Sequence, residues 1–179
     1  MSELSFTQKR ALVAHEIFFG RRYAGTSLEP SNTDEHVATE KMCYILKIAG
    51  VEIGDYDYSW NVKGPFSPGL LALLRSIDDQ NDEVKKFYDE KTDKNLYLRK
   101  YEDVIEDLSE KLKIKEHMDI QYKWVELLGS LIYISRVMLP GENFEKIENR
   151  LKIEKKEYSD SALNHDAWDL LMQSQLLCI

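Results

Sequence analysis

Hydrophobic residues recur along most of the chain at the spacing of an amphipathic α-helix, which predicts a mainly helical protein. The first helix is expected from about Ser5 to Phe19, and the second from Thr33 or Asp34 to Ala49, with Gly50 as its C-cap. The most apolar of the later helical segments is 118–139, so it is the predicted centre of the core. The other expected helices cover residues 97–112, 144–153 and 161–177.

One segment departs from the helical period and predicts a strand. Every second residue from 56 to 62 is aromatic or apolar, and the residues between them are polar, which is typical of a half-buried strand. The inward positions are Tyr56, Tyr58, Trp60 and Val62.

A rigid elbow is expected directly after this strand. Pro65 fixes its own φ and keeps Gly64 out of the helical region. Ser67 then has the side chain of an N-cap, and Pro68 is suited to the first helical position, where its missing N–H costs nothing. The sequence therefore predicts a strand, an elbow and a capped helix in succession.

Three segments are expected to contribute little to the core. Residues 20–32 are rich in turn formers and predict a loop, and residues 78–95 are so polar that they predict a short helix or a loop. Residues 154–157 form a charged link between two helices. Residues 1–179 are thus expected to form one mainly α domain with a small inserted β-hairpin or wing, α+β at the margin.

The composition narrows the function classes. With 24 Lys and Arg against 32 Asp and Glu, the net charge is −8, which argues against nucleic-acid binding because phosphate contacts need clustered cations. Cys43 and Cys178 are too few for a disulfide framework. The N-terminus lacks the apolar region of a secretory signal, and no apolar run is long enough to cross a bilayer. A cytoplasmic protein is expected.

No arrangement of residues in the sequence points to a named chemistry. The four histidines fall on different expected elements, and none has the i, i+4 histidine partner of a helical zinc site. The nucleophile elbow, the Walker loop and the Gly-rich dinucleotide fingerprint are all absent from the sequence. We therefore assign no catalytic residue, no cofactor, no cofactor-binding residue and no metal ligand.

Two surfaces are candidates for binding a partner protein. The first is the aromatic strand face with the following turn, because Tyr and Trp dominate interface hot spots. The second is the acidic run after the elbow helix. The alternatives are that the aromatic residues belong to the core and that the acidic run is a solvated face. The candidate partner-binding residues are Tyr56, Tyr58, Trp60, Lys63, Phe66, Asp78, Asp79, Asp82 and Glu83.

Several motifs resemble a family. The segment KMCYILKIAG followed by YDYSWNVKGPFSPGLLALL resembles the core of the bacterial YwgA-like proteins and is similar to the Panacea domain of toxin–antitoxin and phage-associated proteins. The matching turn is Gly64-Pro65-Phe66-Ser67. WVELLGSLIYISR and KKEYSDSALNHDAWDLL are similar to later parts of the YwgA-like pattern. The resemblance covers about residues 41–171, and the first 35 residues form an N-terminal helical extension outside it.

The sequence departs from this pattern at Val62-Lys63, where an aromatic residue commonly precedes the turn. The Panacea resemblance implies a non-enzymatic antitoxin that binds and neutralises a toxin encoded beside it. The leading expectation is therefore an antitoxin-like or phage-defence accessory protein that controls a neighbouring gene product.

Two other functions stay open. One is a transcriptional regulator with a winged-helix-like arrangement, against which the low pI counts. The other is an enzyme whose catalytic residues are dispersed in sequence. The apolar C-terminus, Leu176-Leu177-Cys178-Ile179, is expected to dock on the chain itself or on a second copy in a homodimer.

Overall fold

The computed structural model describes residues 3–19, 33–90 and 96–177. The loop expected at 20–32 lies outside these residues. The described chain is mainly helical, with one small antiparallel sheet of two strands. The α-helices are α1 (Phe6–Phe19), α2 (Thr33–Ile48), α3 (Pro68–Asp78), α4 (Asn81–Glu90), α5 (Leu96–Lys111), α6 (Gln121–Tyr133), α7 (Phe144–Glu154) and α8 (Ser161–Gln173). The strands are β1 (Ser59–Asn61) and β2 (Gly64–Phe66).

The centre of the fold is the pair formed by α2 and α6. These two helices pack along each other, while α1 packs on α5 and α8 packs on α6. A 3₁₀ segment (Lys115–Ile120) leads into α6, whose residues are almost all buried, and a π-helical turn (Ile134–Met138) ends it. Trp124 on α6 is fully buried and donates its Nε1–H to the carbonyl of Leu112. The prediction that the central helix lies within segment 118–139 is confirmed for α6, although the segment is 3₁₀-helical before it and π-helical after it.

The hairpin lies on both central helices, since β2 contacts α2 as well as α6. Trp60 pairs with Pro65 and Asn61 with Gly64, which leaves a two-residue turn at 62–63. Pro65 has no N–H to donate, and a two-stranded sheet tolerates this because both of its strands are edges. Ser67 is the N-cap of α3 and Pro68 its first residue, as predicted, although the Ser67 side chain makes no capping hydrogen bond.

The structure corrects three local predictions. The strand is shorter than expected, because the chain turns at Asn61 and leaves Val62 80 % exposed instead of inward. The polar segment 78–95 contributes more than expected, since α4 buries three residues, Val84, Phe87 and Tyr88. The charged link after α7 contains a buried lysine, Lys155, which is 1 % exposed.

The described part of the C-terminus docks on this chain. Leu176 is buried in the hydrophobic core, and its carbonyl accepts a hydrogen bond from Nη1 of Arg136 at 3.1 Å. Cys178 and Ile179 lie outside the described residues. Among the described helices, none is both long and apolar enough to span a membrane.

Candidate functional site

Four buried charged side chains lie beneath the hairpin turn. Glu40 and Lys41 come from α2, Glu126 from α6, and Lys155 from the link after α7. Lys155 Nζ forms an ion pair with Oε1 of Glu126, and Lys41 Nζ donates to the carbonyl of Pro65. The set contains two carboxylates and two ammonium groups, so it is neutral when all four are ionised. We call these four side chains the charge cluster.

Gly64 brings the hairpin directly onto this cluster. Its φ of +92° is a conformation that favours glycine. A Cβ at this position would lie 2.7 Å from Oγ of Ser130, 3.6 Å from Cε of Lys41 and 3.7 Å from Cε of Lys155. The glycine is therefore required both by the backbone conformation and by the close approach of α6 and the two lysine side chains.

The protein environment shifts the ionisation of the two α2 residues in opposite directions. Burial raises the pKa of the Glu40 carboxyl from 4.5 to about 7, and the Lys41 charge and a hydrogen bond from the Ser67 N–H oppose this shift. Burial also lowers the pKa of the Lys41 ammonium from 10.5 to about 8, against the attraction of Glu40 and Glu126. Both groups thus titrate much closer to neutral pH than they would in water.

Aromatic rings enclose the far side of the cluster. The Nζ of Lys155 lies 5.5 Å from the ring centroid of Tyr158 and 6.0 Å from that of Trp60, within the range of cation–π attraction. Trp60 donates its Nε1–H to Oε2 of Glu154 at 3.2 Å, which ties β1 to the end of α7. The hairpin is held from below by charges and from the side by this hydrogen bond.

Two surface cavities lie beside the hairpin and share Val37 and Lys63 in their walls. The cavity on the α3 side has a volume of about 430 Å³, and the cavity on the α6 side has a volume of about 400 Å³. We call the two cavities together the groove. The α3 side is lined by His36, Glu40, Lys41, Asn61, Phe66, Leu71 and Arg75. The α6 side is lined by Asp34, Asp119, Ile120, Gln121, Tyr122, Lys123 and Glu126.

Each cavity wall contains a buried polar atom without a partner. Within the described part of the chain, Oε1 of Glu40 accepts no hydrogen bond, and Nε2 of Gln121 donates none. The two side chains are only 2 % and 7 % exposed. A buried polar group without a partner costs free energy, and both atoms are shielded from solvent, so an occupant would gain a hydrogen bond to either one only if the side chain rotated into the cavity.

The aromatic residues predicted from the sequence to bind a partner lie at the boundary between the core and the surface. Tyr56, Tyr58 and Trp60 are half-buried and pack against the hydrophobic core. The Tyr58 ring lies 4.9 Å from that of Tyr44, and burial raises the pKa of the Tyr58 hydroxyl. Lys63 and Phe66, in contrast, both line the groove. The structure therefore brings two of these five residues to a surface cavity.

The acidic candidates are split between interior and surface. The sequence predicts Asp78 on a solvated acidic run, but the side chain is buried, and its Oδ2 lies within hydrogen-bond distance of Nε2 of His36, at 3.2 Å. Asp79 and Asp82 are exposed, and Glu83 is partly exposed. The four carboxylates do not form one surface, because Asp78 points from the end of α3 towards α2.

Sequence reasoning missed the charge cluster and Gln121. Glu126 stands within an apolar run of its helix and Lys41 directly precedes one, and this was the one signal that could have found them. A charged residue at an inward position is rare unless it is paired. Lys155 gave no such signal, because its neighbours in sequence are also charged.

The described residues contain no group of three or more His, Cys, Asp or Glu side chains placed to hold a metal ion. Cys43 is a buried free thiol, and burial raises its pKa. Comparisons with protein-family models, with curated proteins and with solved structures each found no match. The YwgA-like and Panacea-like resemblance therefore stays an expectation from the sequence.

Proposed function

We propose that the protein is a non-enzymatic binding module that binds and controls the product of a neighbouring gene, as an antitoxin or a phage-defence accessory protein does. The observation that carries the proposal is a firmly supported hairpin whose exposed tip adjoins the groove. Val62 is 80 % exposed at this tip, and Lys63 beside it lines both cavities. An exposed aliphatic side chain next to a cationic one is a suitable contact for a protein surface.

The buried support favours binding by preorganisation. Lys41 holds the carbonyl of Pro65, and Glu154 holds the indole of Trp60. A turn that is already fixed loses little conformational entropy when a partner docks on it. The net charge of −8 adds electrostatic complementarity to a basic partner, as expected for neutralisation of a basic toxin.

Co-expression with each neighbouring gene product tests the proposal. We expect a complex that survives size-exclusion chromatography with light scattering, and recovery of growth where the neighbour alone is toxic. Val62→Asp combined with Lys63→Glu should abolish both, while Ile153→Asp, at an aliphatic residue 72 % exposed on α7, should leave both unchanged. Absence of any complex would refute the function. A complex that tolerates the hairpin variant would refute the assigned surface.

A second function is favoured by one observation, the environment of Glu40. Its carboxyl is buried, lines a cavity and has a pKa raised to about 7, which is the pattern of a general base. The test is a panel of ester, amide and phosphoester substrates with the wild type and Glu40→Gln. Turnover that Glu40→Gln removes without disturbing the partner complex would favour an enzyme. Equal background rates would refute it.

A further inference from the structure

Each cavity is lined by a buried polar side chain with one unpartnered atom, which an occupant reaches only if that side chain rotates into the groove. The acceptor is Oε1 of Glu40 on the α3 side, and the donor is Nε2 of Gln121 on the α6 side. Val37 is half-buried between them in the wall that the cavities share. An occupant that satisfies both positions must carry an N–H and a C=O group at two points along its length. An extended polypeptide carries these groups on every residue.

Each cavity wall carries apolar side chains among its polar and charged ones. Phe66 and Leu71 lie on the α3 side, and Ile120 and Tyr122 lie on the α6 side, all of them half-buried. Successive side chains of an extended segment point to opposite sides, so such a segment can place apolar side chains on these walls while its backbone groups meet the polar ones. Such a segment would cover apolar surface and satisfy both buried polar atoms at once.

The charges in the groove wall favour one type of partner residue at one end of the groove. Lys63 and Arg75 are exposed on the α3 side, and neither forms an ion pair with any residue in the part of the chain that the structure describes. On the α6 side, the two cations Lys63 and Lys123 are offset by three carboxylates in the same wall, those of Asp34, Asp119 and Glu126. The α3 end therefore favours an acidic residue, while the α6 end has no such preference.

We infer that the groove binds an extended segment of a partner protein, with an acidic residue beside Lys63 and Arg75, a backbone N–H donated to Glu40 and a carbonyl accepting from Gln121. This inference rests on the proposed function, since it describes how the controlled partner is recognised. It assigns the recognition to a peptide segment that passes over Val37 between the two cavities.

Selection of peptides on the immobilised full chain tests the inference even while the partner is unidentified. A phage-displayed library of random peptides, about a dozen residues long, is selected on the protein, and recovered peptides are synthesised with a fluorophore. Their Kd values are measured by fluorescence anisotropy. We expect apolar peptides with an acidic residue towards one end.

Matched variants then locate the site. Val37→Arg should weaken binding at least about tenfold, because it fills the groove between the cavities. Ile153→Arg places the same side chain on an exposed aliphatic position outside the groove and should leave Kd unchanged. Lys63→Glu with Arg75→Glu changes only exposed residues, so it tests the groove even if Val37→Arg is poorly folded. It should raise the Kd of peptides that carry the acidic residue about tenfold. The Kd of peptides in which that residue is replaced by Ala should stay unchanged. Gln121→Leu should raise the Kd roughly threefold to tenfold.

Several outcomes would overturn the inference. Selection without enrichment, or peptides that bind the wild type, Val37→Arg and the charge-reversed variant equally well, would show that the groove is not the site. A concentration-dependent dimer, seen by light scattering and abolished by Val37→Arg, would assign the groove to a second copy of this chain. The co-expression complex is a separate measurement. A complex that withstands all groove variants would refute the inference and leave the proposed function standing.

Discussion

Replacing Gly64 by alanine gives the sharpest test of how the hairpin sits on α6. The substitution adds two costs that can be separated. The backbone at φ +92° is unfavourable for an L-residue by about 1–2 kcal/mol. The new Cβ would also lie 2.7 Å from Oγ of Ser130, an overpacked contact that typically costs about 1–3 kcal/mol. We therefore expect Gly64→Ala to lower the free energy of unfolding by about 2–5 kcal/mol.

Adding Ser130→Ala to Gly64→Ala removes only the overpacked contact and leaves the backbone cost. The Ser130 hydroxyl is buried and has no hydrogen-bond partner among the described residues, so its removal should change stability by less than about 1 kcal/mol. In the double variant only the backbone cost remains, and the loss should shrink to about 1–2 kcal/mol. The coupling free energy between the two positions is then about 1–3 kcal/mol, within the range for residues in contact.

Urea unfolding followed by circular dichroism and tryptophan fluorescence measures all three variants. Gly141→Ala is the matched control, because Gly141 has φ +78° and a Cβ added there would meet no atom within 4 Å. It should cost about 1–2 kcal/mol and be additive with Ser130→Ala. If Gly64→Ala is no more destabilising than Gly141→Ala, or if Ser130→Ala brings no recovery, the close contact between hairpin and α6 is wrong.

Three further predictions concern the charge cluster and its surroundings. Lys155→Met leaves the Glu126 carboxylate buried without its ion-pair partner, so it should lower the free energy of unfolding by about 3–5 kcal/mol in the same urea titration. Glu126→Leu with Lys155→Met should recover most of this loss, and equal losses in the two variants would contradict the prediction. Because burial raises the pKa of the Glu40 carboxyl, the folded state keeps a proton that the unfolded state has lost, so stability should fall as the pH rises from 4.5 to 7. Glu40→Gln should remove this decline, and an unchanged slope would refute the pKa shift. Trp60→Phe loses the hydrogen bond to Glu154 and should cost about 0.5–1.5 kcal/mol, while Glu154→Gln, which keeps an acceptor, should cost less.

The helices could be predicted from the sequence because their apolar residues recur at a period that only a helix satisfies. The start of α3 was predictable for another reason: Pro65 and Pro68 restrict the backbone whatever the rest of the fold does. The position of Val62 was not predictable, because the register of a short strand depends on where the turn begins. Three buried residues of α4 were missed, since polar neighbours surround them in sequence while the core surrounds them in space.

The candidate site was less predictable than the fold. Its contacts join residues far apart in sequence, such as Lys155 with Glu126, 29 positions away, and Lys41 with Pro65, 24 positions away. Its cavities exist only because the hairpin folds back beside α2. Of the groove residues, Lys63 and Phe66 were found from the sequence, because the turn beside them has a recognisable pattern.

The charge cluster raises the question of why charged residues support the hairpin at all. A buried ion pair is seldom more stable than apolar residues of the same volume, because desolvation offsets the attraction between the charges. An ion pair does, however, add a geometric requirement of its own, because its attraction depends on the placement of both charged groups. We therefore expect Glu126→Leu with Lys155→Met to keep most of the stability of the wild type and to lose affinity for groove-binding peptides. Lys63 and Phe66 would no longer be held in one arrangement, and the Glu126 carboxylate would be missing from the groove wall. Stability from urea titration and Kd from anisotropy measure the two effects separately. Full affinity in a stable double variant would show that packing alone positions the hairpin.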